Sequence, residues 1–152
     1  MHPFQLTLAA ALLFVTGAAM AANDTPVGTW RQIDGTGKTR SIIEIAETNG
    51  ELKGTIKDVL NRSPRGMARD GTPPMCTQCD GAFKNKPMIG MVNMWGLKKD
   101  GDVWDGGRIL NPADGKTYKV RLSLTDHGQK LNVRGYIGMP LMGQSQIWER
   151  QQ

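Results

Sequence analysis

The sequence has few of the residues on which catalytic and metal sites depend. Its 152 residues include two cysteines and two histidines. One histidine, His2, lies at the N-terminus, just before an apolar run. A catalytic triad would have to use His127, and a structural zinc site needs about four Cys or His ligands. Asp102 and Asp105 flank Trp104, but turn chemistry favours solvent for both rather than a pair of catalytic carboxylates. We therefore expect no enzymatic activity, no metal and no cofactor.

Long apolar runs are also absent after residue 22, and no segment there has the periodicity of an amphipathic helix. The apolar run at residues 6–19 is shorter than the ~20 residues that span a bilayer. It leads to A-M-A at residues 19–21, which fits a signal-peptide cleavage site. We expect residues 1–21 to be removed as a signal peptide. The remaining single domain, residues 22–152, is then expected in the periplasm or outside the cell, without a transmembrane segment.

Short alternating segments separated by turn signals fill the rest of the chain. Dipeptides such as Asn49-Gly50 and Asp114-Gly115 supply the positive φ that tight hairpins need. Between the turns apolar and polar residues alternate, which predicts strands with one polar face. We predict eight strands, at residues 29–33, 40–46, 52–60, 88–97, 103–110, 117–124, 131–137 and 144–150. A meander of this size closes into an all-β, antiparallel up-and-down barrel and leaves no exposed sheet edge.

The two ends of this meander carry residues suited to closing a barrel. The first strand opens with Gly28 and Trp30, and the last ends with Trp148 and Arg150. Since the first and last strands are neighbours in a closed meander, we predict that Arg150 lies over the face of Trp30. Such a cation–π contact contributes ~0.5–2 kcal/mol. Lipocalins share this arrangement of G-x-W and a basic residue near the C-terminus, and the chain resembles them here.

One long loop, residues 61–87, interrupts the regular pattern and holds both cysteines. In an exported protein Cys76 and Cys79 are expected to form a structural disulfide, whose short closed loop contributes about 2 kcal/mol. A redox pair is one alternative. A copper site built from Cys76, Cys79 and Met75 is another, because thiolates and thioethers favour Cu(I).

The same loop contains five basic and two acidic side chains. This excess of three positive charges is more than half of the net charge of +5. Such a basic surface would attract an anionic ligand or an envelope surface, but we favour the interpretation of a solvated loop without a partner.

Methionines recur at a spacing of three, at Met88, Met91 and Met94 and again at Met139 and Met142. We predict that they fill the core or line a pocket, because Met adapts to irregular interiors. On a strand, Met91 would face away from Met88 and Met94.

A second candidate site is Arg134-Gly135-Tyr136 in the seventh strand. Alternation places Arg134 and Tyr136 outside or at the rim and Gly135 inside, where a missing side chain leaves room for a ligand. We favour structural packing of this segment against Trp148 over a ligand site.

Several spaced motifs resemble a bacterial exported family, the domain of unknown function 2147. They are C-x-x-C-x-G-x-x-K-x-x-P-x-x-G at residues 76–90 and shorter motifs at 104–107, 111–118, 134–138 and 146–150. The resemblance covers essentially all of residues 22–152 and implies a secreted or periplasmic, lipocalin-like barrel. It implies no activity, since the family has no agreed one.

These observations predict a non-catalytic exported binding protein that holds a small apolar or amphipathic ligand in the barrel. The basic loop would favour an anionic head group on that ligand. The alternatives are metal handling through the cysteine loop and an envelope-binding protein with a filled barrel. A nucleic-acid partner is not expected. The candidate ligand or loop residues are Lys84, Pro87, Gly90, Met91, Trp104, Arg134, Gly135 and Tyr136.

Overall fold

Eight antiparallel strands form one closed barrel in the computed structural model, which describes residues 23–60 and 73–152. The strands are β1 (Gly28–Ile33), β2 (Thr39–Thr48), β3 (Glu51–Val59), β4 (Val92–Asp100), β5 (Val103–Asn111), β6 (Lys116–Thr125), β7 (Lys130–Tyr136) and β8 (Gln144–Arg150). Each strand pairs with the next one in the chain, and β8 pairs with β1. The predicted up-and-down barrel of eight strands is confirmed. The predicted signal peptide lies outside the described residues, as do residues 61–72 of the long loop.

Tight turns with left-handed backbone join several of these strands, as the sequence predicted. The β2–β3 turn places Asn49 at φ 54° and Gly50 at φ 77°. A two-residue turn with positive φ at both central positions matches the twist of the two strands that it joins, and Asn and Gly tolerate this conformation. In the β6–β7 connection Asp126 and His127 each have a φ of 52°, so the histidine that a triad would need lies in a turn. Across residues 23–60 and 73–152 no helix is long and apolar enough to span a membrane.

The fourth strand begins at Val92, and the prediction that it starts at Met88 is wrong. Gly90 adopts a φ of 89°, and Met91 N–H donates a hydrogen bond to the carbonyl oxygen of Met88 at 3.1 Å. This turn ends the alternation of faces that an extended backbone would give. Met88, Met91 and Met94 are all buried, as the prediction that they fill the core or line a pocket requires.

The two ends of the barrel are built differently. At the closed end lie residues 23–27, the C-terminus and the connections at 49–50, 101–102 and 126–129. Inward side chains fill this end with bulky apolar groups that are almost fully buried: Trp30, Ile45, Leu52, Leu97, Leu122, Leu131 and Trp148. The open end carries the other connections, at 34–38, 112–115 and 137–143, and the described residues between β3 and β4, which are 60 and 73–91.

Arg150 and Trp30 seal the closed end. The Trp30 indole N–H donates to the carbonyl oxygen of Pro26 at 2.7 Å, and the guanidinium carbon of Arg150 lies 4.3 Å from the Trp30 ring centroid. Arg150 also donates to the carbonyl oxygens of Thr25, Val27 and Gly128 at 2.8, 2.8 and 2.9 Å. The predicted cation–π contact is present, and the same guanidinium ties the N-terminal segment across the base of the barrel. Partial burial lowers the pKa of Arg150 from its usual value.

Candidate functional site

A cavity of about 460 Å³ occupies the barrel interior at the open end. This volume lies within the range of ligand pockets, roughly 300–1,000 Å³. The inward-facing side chains around the cavity are Gln32, Ser41, Ile43, Ile56, Asn93, Ile109, Tyr118, Val133, Gln144 and Gln146. One half of the barrel is therefore filled and the other half is hollow.

Gly135 leaves space on the inner face of β7, where an alternating strand would otherwise place a side chain. A methyl group at this position would find its nearest neighbour, Tyr118 Cβ, 3.8 Å away. Val133, two residues earlier on the same face, is buried, and both residues line the cavity. The sequence prediction that Gly135 faces inward and leaves room therefore agrees with its placement in the structure.

Four side chains on β8, β1 and β2 form a hydrogen-bonded row on the inner wall, which we call the polar ladder. Trp148 Nε1–H donates to Gln146 Oε1 at 3.2 Å, and Gln32 Nε2–H donates to the same oxygen at 3.1 Å. Ser41 Oγ–H donates to Gln32 Oε1 at 2.5 Å. Trp148 belongs to the buried core, whereas Gln32, Ser41 and Gln146 line the cavity. The polar ladder thus joins the filled half of the barrel to the hollow half.

Asn93 is the second buried polar residue of the cavity wall, with 6% of its surface exposed. Its Nδ2–H donates to the carbonyl oxygen of Leu110 at 3.4 Å, a long hydrogen bond. Its Oδ1 is covered by protein and has no hydrogen-bond partner among the residues that the structure describes. A buried acceptor left unpaired costs about 1–3 kcal/mol, so Oδ1 adds no stability through a protein hydrogen bond.

At the rim of the cavity two carboxylates, Asp34 and Asp114, each lie close to another side chain. Arg40 Nη1 lies 3.7 Å from Asp34 Oδ2. On the opposite side, Tyr118 O–H donates to Asp114 Oδ2 at 2.6 Å, and the backbone N–H of Lys116 donates to Asp114 Oδ1 at 2.8 Å. The hydrogen bond to the Asp114 carboxylate raises the pKa of Tyr118 above its usual value. The phenol is therefore protonated at neutral pH.

Residues 73–87, the described part of the cysteine loop, pack against the open end. Cys76 and Cys79 are both buried and lie at disulfide-bonding distance, with their Cα atoms 5.4 Å apart. The backbone carbonyl of Gln78 presses so closely on Gly115 that no side chain fits there. A disulfide leaves neither cysteine as a thiolate, the form that the copper alternative requires. Within residues 23–60 and 73–152 no three His, Cys, Asp or Glu residues lie close enough together to hold a metal ion.

Most of the predicted loop residues lie outside the barrel rather than at the cavity. Pro87, Gly90 and Met91 border a shallow groove on the outer face of β3 and β4, next to the stacked rings of Phe83 and Trp95. Lys84 is exposed where the short turn at 81–83 ends. Trp104 lies at the closed end, with Lys99 Nζ 5.6 Å from its ring centroid.

Arg134 stands on the outer face of β7 and holds the loop at residues 137–143. Its guanidinium donates to the carbonyl oxygens of Pro140 and Leu141 at 2.5 and 3.2 Å, and to Ser145 Oγ at 2.9 Å. The prediction that this segment packs against Trp148 is therefore wrong for Arg134, because Trp148 belongs to the buried core inside the barrel. Met139, in the loop that Arg134 holds, is 67% exposed, so the prediction of core or pocket filling is wrong there.

Met142, at the end of this loop, borders the cavity mouth but is 78% exposed, so it does not fill the core.

Tyr136 faces outward, as predicted, yet it is buried beneath this same loop. Its O–H donates to Asp105 Oδ1 at 3.1 Å, and the other Asp105 oxygen accepts two hydrogen bonds from Arg121, at 3.0 and 2.5 Å. The prediction that Asp105 lies free in solvent is wrong, because a bulge in β5 turns it towards β6 and β7. Burial opposes ionisation of Asp105, but hydrogen bonds from Arg121, the Gly106 backbone and Tyr136 outweigh it and lower its pKa.

The polar residues of the cavity wall were not singled out from the sequence. Gln32, Ser41 and Gln146 each lie two positions from a buried inward residue: Trp30, Ile43 and Trp148. A polar residue on the apolar face of an alternating strand is the signal that identifies them. Asn93 carried no such signal, because β4 is irregular at that point.

Comparisons with known proteins agree with this architecture. The model of the bacterial family described as "Uncharacterized protein conserved in bacteria (DUF2147)" matches residues 28–150. One similar solved structure is described as "Protein HP1028 from the human pathogen Helicobacter pylori belongs to the lipocalin family". The two chains are 23% identical, and the match, with a TM-score of 0.67, covers 83% of this chain and 82% of that one, which is a likeness of fold. No curated protein matches the chain.

Proposed function

This chain belongs to the DUF2147 family of bacterial proteins, and from its lipocalin-like barrel we propose that it is a non-catalytic binding protein for one small amphipathic molecule. The observation that carries the proposal is the cavity of about 460 Å³ at the open end. Ile56, Ile109 and Val133 offer apolar contact to a hydrocarbon part, and the polar ladder offers hydrogen bonds to a head group. A hollow barrel with both kinds of wall supports a binding role over the alternative of a filled barrel.

We further propose that the protein works in the periplasm or outside the cell. The apolar run at residues 6–19 followed by A-M-A supports export, and so does the buried pair Cys76 and Cys79. Disulfides persist in oxidising compartments and are rare in the cytosol.

Substitution of Gly135 by Leu tests the proposed site. The inner face of β7 has room for the first carbon, so the variant should fold while its side chain fills part of the cavity. We expect the protein to bind the apolar fluorophore N-phenyl-naphthylamine and the variant to lose at least about tenfold in affinity, because a branched side chain occupies the ligand's volume. Fluorescence titration measures the affinity, and circular dichroism checks the fold.

Thr117→Leu is the matched control, since Thr117 is exposed on β6 beside inward-facing Tyr118 and does not line the cavity. This variant should bind the fluorophore like the unaltered protein. Equal binding by folded Gly135→Leu would show that the fluorophore sits elsewhere and would remove the cavity as the site.

A further inference from the structure

We infer that the cavity selects molecules whose head group accepts hydrogen bonds, such as a carboxylate or an ester, and that Gln146 supplies the donors. This inference rests on the proposed function and adds the chemical class of the ligand. It follows from the direction of the hydrogen bonds in the polar ladder.

The direction is set at the buried end of the ladder. An indole N–H donates and cannot accept, so the atom of Gln146 that faces Trp148 must be the amide oxygen. The same oxygen accepts from Gln32 Nε2. Gln32 therefore turns its own oxygen towards Ser41, whose hydroxyl donates to it. One donor-only side chain in the core thus fixes the orientation of both amides.

Gln146 is left with its NH₂ group facing the cavity. Both hydrogen bonds to this side chain use Oε1, and Nε2 has no partner among the residues that the structure describes. Gln146 is exposed within the cavity wall, so a ligand entering from the open end can reach it. Two free N–H donors on one nitrogen suit an oxygen that accepts.

The acceptors of the wall lie away from Gln146. Tyr118 uses its hydroxyl proton on Asp114, so both side chains present acceptors, but they lie on β6 and in the β5–β6 connection, whereas Gln146 is on β8. Asn93 Oδ1 is covered by protein and does not face the cavity space. Arg40 at the rim adds a cation that carries donors only, and a 3.7 Å contact with Asp34 leaves most of its N–H groups available.

Three probes with the same chain test the preference: dodecanoate, methyl dodecanoate and dodecylammonium, each displacing N-phenyl-naphthylamine from the full chain. The two oxygen acceptors should bind more tightly than the ammonium, by about tenfold for the carboxylate, since hydrogen bonds to a charged acceptor are the stronger ones. Equal binding, or tighter binding of the ammonium, would overturn the inference while the proposed function stands. Failure of the protein to bind the fluorophore or any of the three would instead remove the proposed function.

Gln146→Glu changes the donor and leaves the ladder intact. One carboxylate oxygen still accepts from Trp148 and Gln32, while the other replaces the NH₂ group with a negatively charged acceptor. The order should invert, with dodecanoate about tenfold weaker than in the unaltered protein and dodecylammonium tighter. An unchanged order of affinities in the folded variant contradicts a role for Gln146.

Gln144→Glu is the matched control for charge. Gln144 lines the same cavity two residues nearer the open end and takes no part in the ladder. It should shift the affinities for dodecanoate and dodecylammonium less than Gln146→Glu does. An equal shift would mean that a negative charge near the mouth, rather than the oriented amide, determines the selectivity.

Discussion

The interior of the barrel is filled with side chains at the closed end and contains a cavity at the open end. At the closed end Trp30 and Trp148 fill the interior, and Arg150 donates to three backbone carbonyls. At the open end the inner face of the same strands carries Gln32 and Gln146 instead, and a cavity lies beside them. The polar residues begin two positions after Trp30 on β1 and two positions before Trp148 on β8.

Because of this difference, we expect the closed end to stabilise the fold and the open end to determine which ligand binds. Bulky apolar groups at the closed end remove surface from water, and Trp30 and Arg150 donate hydrogen bonds to backbone carbonyl oxygens there. At the open end the unpaired NH₂ group of Gln146 and the covered Oδ1 of Asn93 stabilise nothing by themselves. We expect substitutions at the closed end to lower the free energy of unfolding, and substitutions at the open end to alter binding.

Trp30→Ala should have the largest effect on stability. The side chain is fully buried, its indole N–H is bonded to Pro26, and Arg150 stacks on its ring. We expect the free energy of unfolding to fall by about 3–5 kcal/mol, the usual cost of removing a large buried aromatic side chain. Urea unfolding followed by fluorescence of the remaining tryptophans measures the change.

Two further variants keep this experiment informative. Trp30→Phe retains the ring contact and loses the N–H, so it should fold and bind N-phenyl-naphthylamine like the unaltered protein. Ile147→Ala shortens an exposed side chain on the same strand as Arg150 and should cost less than about 1 kcal/mol. If Trp30→Phe lost probe binding without losing structure, the two ends would not be independent.

The disulfide comes next, because it stabilises the open end rather than the barrel. Cys76→Ser with Cys79→Ser should lower the free energy of unfolding by about 2 kcal/mol, the loop-entropy value for so short a closure. Met88, which belongs to residues 76–90, lines the cavity. The variant without the disulfide should therefore also bind the fluorophore more weakly. Urea unfolding and fluorescence titration under oxidising conditions measure both. Unchanged binding would show that the loop does not shape the cavity.

The sequence was sufficient for the barrel and for its closed end. Period-two alternation and left-handed turn residues identify eight strands, and the paired ends Trp30 and Arg150 predict their own contact. These features depend on neighbours along the chain or on the first and last strands, which closure necessarily brings together. The start of β4 was predicted four residues early, because Gly90 turns the backbone within an apolar stretch that resembles a strand.

The open end was harder to predict, because its site is assembled from side chains far apart in the sequence. Gln32, Ser41 and Gln146 meet only after β1 pairs with both β2 and β8. The sequence drew attention to residues 76–90 instead, whose cysteines, lysines and glycines are distinctive but pack outside the cavity, apart from Met88. Gly135 was found because alternation alone places it on the inner face.

The smallest expected effect lies on the outer face of the wall between the two ends, where Asp105 accepts hydrogen bonds from Arg121 and Tyr136. Since folding lowers the pKa of Asp105, the folded protein binds its proton less readily than the unfolded chain does. The stabilisation is therefore present above the usual carboxyl value of 3.8 and is lost as pH falls below it. Because the Arg121 side chain is 37% exposed, solvent screening limits the contribution to about 0.5–1 kcal/mol.

Asp105→Asn should accordingly be less stable than the unaltered protein at pH 7, and the difference should shrink as pH falls below 3.8. Urea unfolding at each pH measures it. Asp102→Asn makes the same charge change at an exposed position in the preceding turn, and should leave stability at pH 7 nearly unaltered. A difference between Asp105→Asn and the unaltered protein that stayed constant down to pH 3 would mean that shape, and not charge, makes Asp105 stabilising. Binding of N-phenyl-naphthylamine should be the same in both variants at pH 7, because neither carboxylate faces the cavity.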